Sequence, residues 1–153
     1  MADIDAGDLI ESAWWPESVT VQENTDQLNV TSTTSIAGSP ECSTTFVAGM
    51  SGRAGVCVGA EIRNDDTAGN RLFVQFEIRL TNSSGAIHTA AVVTRGVSTT
   101  GDTTASQFMV FGNMTMVEGL TPGATYFIRT MHRVDGGTTN DIGHRRLVVI
   151  PLT

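Results

Sequence analysis

Three histidines, two cysteines, the serines and two pairs of acids are the side chains of this 153-residue chain that could do chemistry. His88, His132 and His144 stand at least twelve residues apart, and Cys42 and Cys57 form no Cys-x-x-Cys pair. That spacing offers no zinc site. No serine lies in Gly-x-Ser-x-Gly. Ser51, in Gly49-Met50-Ser51-Gly52, sits in a turn and lacks the strand-to-helix context of a nucleophile elbow. Asp3/Asp5 and Asp65-Asp66 are the carboxylate pairs a glycosidase would need, but both lie in terminus-like or turn-like sequence. Asn64-Asp65-Asp66 offers oxygen ligands for Ca²⁺ at a spacing that matches no EF-hand. There is no lysine, which excludes a Walker lysine and a lysine Schiff base. The expectation is no catalytic residue, no metal ligand and no cofactor; a small hydrolase is the weakest function class considered.

Charge points to contact chemistry instead. The net charge is −7, and all nine basic residues are arginine. Residues 1–52 carry eight acids (Asp3, Asp5, Asp8, Glu11, Glu17, Glu23, Asp26, Glu41) and no base; residues 53–153 are nearly balanced. An acidic chain with so few clustered bases disfavours nucleic acid as a partner. No apolar run approaches the ~20 residues of a membrane helix, so no membrane partner is expected. The acidic opening MADIDAGDLIE does not resemble a secretory signal.

Three groups read as interaction surface. Trp14 and Trp15, before Pro16, are either anchors for a neighbour's pocket or a cover for this domain's own open end. Phe111, Met114 and Met116 belong to a run, with Phe108-Met109-Val110, that is apolar on both parities. Either its outer face meets another subunit or the strand is locally twisted into the core. Arg129, Arg133, Arg145 and Arg146 form a cationic patch if the last two strands lie close. The acidic lead segment of an adjacent subunit is the candidate partner; exposed arginines without a fixed partner are the alternative.

The elements that must position these residues are strands. Residues 1–18 form an N-terminal arm without periodicity, and 19–153 form one β-sandwich domain. Strand-like runs cover Val19–Gln22, Leu28–Ile36, Cys42–Ala48, Val56–Ile62, 71–80, Ile87–Thr94, Gln107–Val117, Thr125–Val134 and Arg145–Leu152, with a flexible stretch at 96–104. The strongest alternation is Leu72, Val74, Phe76, Ile78 and Leu80 against Arg71, Phe73, Gln75, Glu77 and Arg79. About eight strands and no long amphipathic helix imply an antiparallel sandwich or barrel. A tight hairpin at Ser51-Gly52 would set Cys42 opposite about Glu61, so both cysteines are expected to be free thiols. In Thr121-Pro122-Gly123-Ala124, proline and glycine suit a type II turn, and Tyr126 is placed for a tyrosine corner.

The string GLTPGATYFIRTMHRVDGG (119–137), closed by HRRLVVIPL (144–152), resembles the C-terminal portion of small β-sandwich virion proteins of actinobacteriophages, of head decoration or minor tail type. AGDLIESAWWPESV, TSTTSIAGSP and SGRAGVCVGAEIRND are similar to the earlier parts of such proteins. The resemblance implies an all-β, antiparallel, jelly-roll-like sandwich. It also implies a homo-oligomer, expected as a trimer, that binds the major capsid protein or another virion protein in the virion. The function expected is a head decoration (cement) protein. The alternative is a tail-associated minor tail or adhesion module that binds a host surface ligand.

Overall fold

The computed structural model describes residues 15–64, 69–100, 107–136 and 140–153. Among these, the strands in chain order are β1 (Val19–Glu23), β2 (Ile36–Ala37), β3 (Ser43–Val47), β4 (Arg53–Asn64), β5 (Arg71–Leu80), β6 (Ile87–Thr89), β7 (Gly96–Thr100), β8 (Met109–Val117), β9 (Thr125–Val134) and β10 (Asn140–Leu152).

The strands form two antiparallel sheets. Sheet A has the order β1-β10-β4-β8. In sheet B, β2 and β3 pair with one edge of β9, β9 pairs with β5, and β5 pairs with β6 and β7. With the short β2 and β6 set aside, β1-β10-β4-β8 faces β3-β9-β5-β7. That is the eight-stranded jelly roll of two Greek keys, so the expected fold class is the observed one.

Alternation explains the core. Val56, Val58, Ala60 and Ile62 of β4, Leu147 and Val149 of β10, Leu72, Val74, Phe76 and Ile78 of β5, and Tyr126 and Ile128 of β9 all turn inward and are buried. Successive side chains on a strand alternate between faces, so each sheet presents one such row to the other.

Several boundaries differ from the sequence reading. The run at 28–36 yields only the two-residue β2, because its backbone bonds across to other elements: Val30 N–H donates to Asn140 O at 2.7 Å. Within the stretch expected to be flexible, 96–100 is β7, paired along β5. Ser51-Gly52 closes no hairpin. The turn carries the chain from sheet B to sheet A, since β3 pairs with β9 whereas β4 pairs with β10 and β8. Both thiols are free all the same. Cys42 is buried, directed at the carbonyls of Arg145 and Val21, while Cys57 lies half-buried on β4.

The tyrosine corner is present. Thr121 N–H donates to the Tyr126 hydroxyl at 2.9 Å, and Ala124 N–H donates to Thr121 O across a turn whose Gly123 has φ +74°. Only a residue tolerant of positive φ fits the third position of that type II turn.

Candidate interaction surface

The outer face of sheet A carries four exposed large apolar side chains, Val110, Met114, Met116 and Ile150. The register lays them out in rows. Thr20, Val148, Cys57 and Met114 form one row across β1, β10, β4 and β8; Ile150, Gly55 and Met116 form the next. Met114 is 58% exposed, Met116 45%, Ile150 41% and Val110 78%. The β4 column is low, because Gly55 and Gly59 lack side chains. A Cβ at Gly55 would meet the Met114 methyl at 2.6 Å, so the methionine lies across the glycine. Polar groups close both ends of the face. Arg53 pairs with Glu118 at 3.3 Å at one end. Arg146 donates to Gln22 Oε1, and His144 approaches Glu61 at 3.3 Å, at the other. An apolar centre within a polar rim is the anatomy of a protein interface.

The expected interface residues divide. Met114 and Met116 are on this face, and Arg146 is on its rim. Phe111 is on the same strand with opposite parity and packs against the molecule's own core. Trp15 is 57% exposed just before β1, and Trp14 lies outside the described residues.

The cationic patch does not form. Arg129 and Arg133 are on β9 in sheet B, whereas Arg145 and Arg146 are on β10 in sheet A. Arg129 is held inside its own chain, donating to Glu77 Oε1 at 3.0 and 3.1 Å and to Glu41 Oε1 at 2.8 Å. Arg133 pairs with Asp135 and lies over the Phe73 ring. These bonds engage Arg129 and Arg133 within their own chain, where an adjacent subunit's acids were expected to meet them.

Arg145 departs furthest from expectation. It is fully buried between the sheets, not on the surface. Its Nη1 donates to Pro40 O at 3.2 Å and its Nη2 to Thr25 O at 3.0 Å, while its Nε has no partner. Glu23, opposite it in the β1–β10 register, and Asp26 act on its charge from a distance, but burial is the larger influence. Burial therefore pulls its pKa down. The sequence carried the signal, since Arg145 shares parity with Leu147 and Val149. A bulge in β10 keeps Ile142 inward as well, with Ile142 opposite Ile62 and Arg145 opposite Ala60.

His132 is the buried structural histidine its parity predicts, and His144 is exposed. Burial, and then the charge of Arg145, lowers the His132 pKa to about 4. Among the described residues no group of His, Cys, Asp or Glu could hold a metal ion.

No protein-family model matches this chain, and no curated protein matches it. Among solved structures it is similar to the infectious bursal disease virus VP2 subviral particle, at 12% identity and a TM-score of 0.53, over 89% of this chain and 33% of that one. It is also similar to a family 35 carbohydrate binding module from an environmental isolate, at 11% identity and TM-score 0.38, over 88% of this chain and 98% of that one. A third is the enzymatically active domain of bacteriophage CBA120 tailspike protein 4, at 15% identity and TM-score 0.35, over 87% of this chain and 19% of that one. The chain spans about a third of the VP2 chain. At this identity the VP2 likeness is one of fold.

Proposed function

We propose that this protein is a structural component of a bacteriophage virion, a homo-oligomeric head decoration protein that fastens to the capsid surface and catalyses no reaction. The observation that carries the reading is the exposed Met114–Met116–Ile150 face of sheet A. A jelly roll already buries one face of each sheet to fold, so a second apolar face has no role in its own stability. The family resemblance of 119–137 and 144–152 supports the phage setting and the expectation of trimers. Trp15, exposed ahead of β1, marks where the leading segment departs and supports its role as a strap onto the shell.

A tail-borne adhesion module is the second reading, supported by the same resemblance. Particles stripped of the protein and then reconstituted with it distinguish the two. A decoration protein restores head stability to heat or chelation, and adsorption is unaffected. Loss and recovery of adsorption alone would assign it to the tail. Turnover of peptidoglycan fragments by the pure protein would overturn both.

A further inference from the structure

The geometry points to a specific occupant for the outer face of sheet A: the same face of a second copy of this chain, packed sheet on sheet about a two-fold axis. This deepens the proposed function, and rests on it only for the setting in which the pair works.

Size is the first argument. Three strands about 4.8 Å apart, matched over the nine residues of β8 at about 3.4 Å each, with the five residues of β1 beside them, give a face of roughly 500 Å². Two such faces bury roughly 1,000 Å², the size at which a specific interface begins.

Shape selects a second copy. The face is a sheet surface with a low glycine column at Gly55 and Gly59, flanked by Met114 and Met116 on one side and Val148 and Ile150 on the other. An identical sheet carries the same twist, so the two surfaces can stack about 10 Å apart at the angle that sheets adopt within a sandwich. The rim carries both signs, with Arg53 and Glu118 at one end and Arg146, His144 and Glu61 at the other. A two-fold axis running across the strands between the Gly55 and Cys57 rows sets each end against the opposite end of the partner. Met114 then meets the Met116 row. An isologous contact of this kind pairs copies whatever ring they also form.

The test uses the full chain and sedimentation velocity over a concentration series. Wild type is expected to reach the mass of an even-numbered oligomer, at least twice 16.2 kDa. The double variant Met114→Glu, Ile150→Glu buries carboxylates in the centre of the contact and is expected to weaken association by at least ~100-fold. It leaves the core untouched, which circular dichroism and the melting temperature verify. Val92→Glu, Val93→Glu places the same charges on exposed apolar residues elsewhere and is expected to associate like wild type. A short bismaleimide is expected to join copies through Cys57, which lies in the central row, and Cys57→Ser is expected to lose the cross-link but keep the mass.

A monomeric wild type at 100-micromolar-scale concentration overturns the inference. So does association that the Met114/Ile150 variant leaves unchanged, which moves the contact to another surface. These failures are distinct from failure of the proposed function. A monomer that still rebinds stripped heads leaves the capsid-binding role standing, whereas a pair that binds no virion removes it.

Discussion

At Arg145 a guanidinium is enclosed between two sheets with two carbonyl acceptors. Those acceptors, Thr25 O and Pro40 O, are at opposite ends of the segment that joins β1 to β3, so the side chain pins that segment. Alanine at 145 leaves a cavity and two carbonyls without donors, and is expected to cost roughly 2–4 kcal/mol in urea unfolding. A cost near zero would show that the pin is idle. Gly38 belongs to the same arrangement, because a Cβ there would lie 1.8 Å from Arg145 Nη1. Gly38→Ala is therefore expected to lower the urea midpoint, and an unchanged midpoint would contradict the packing. His132 supplies a pH dependence. Its pKa is about 4 when folded, while an imidazole in the unfolded chain titrates near ~6.5. Between those values the unfolded chain binds a proton that the folded one refuses, so stability falls as pH drops from about 7 to about 4, by roughly 3 kcal/mol. His132→Gln is expected to flatten that limb of the stability–pH curve; equal slopes in the two proteins would contradict it. The inward position of His132 was legible from parity with Tyr126 and Ile128. That of Arg145 was equally legible from Leu147 and Val149, but charge suggested the surface. Parity wins because the surrounding carbonyls solvate the guanidinium.

Elements carry a different lesson. The β5 and β9 strands were readable almost to the residue, because both have an unbroken alternating inner row. The partners of a strand were not readable, since alternation fixes which face is buried and says nothing about which strand lies alongside. Hence the turn at Ser51-Gly52 reads as a hairpin but crosses between sheets. Leu28–Ile36 also has strand composition, yet its backbone is used by Asn140, Asp141 and Val134 at separate points. The corner at Thr121–Tyr126 was readable, because proline, glycine and tyrosine each have a defined geometric task there. Tyr126→Phe removes the bond to Thr121 N–H and is expected to cost about 1 kcal/mol, measured by urea unfolding. No change would mean that the corner does not brace the β8–β9 connection. Removing residues 1–18 leaves β1 intact, so the truncated chain is expected to fold with a near-native melting temperature and to lose attachment to capsids. Normal attachment would exclude the strap.

The whole molecule is a jelly roll with a closed interior, and its unspent chemistry is on the outside. Apolar side chains at Val110, Met114, Met116 and Ile150 stand exposed on the outer face of the four-stranded sheet A, the surface proposed to be covered by protein. The sequence located the methionines but could not separate Phe111, which packs inward, from its neighbours until the parity of β8 was set against β4. The arginine patch dissolved for a reason visible only in three dimensions: β9 and β10 are consecutive in the chain but lie in opposite sheets. Protein contact is the proposed working principle, and a reconstruction of the virion proposed to carry this protein is its sharpest test. It is predicted to show density for the sandwich at regular positions on the head, with the Trp15 end toward the shell and the sheet A face against another copy. Particles that lack the protein altogether, or that carry it as isolated copies with sheet A open to solvent, would contradict it.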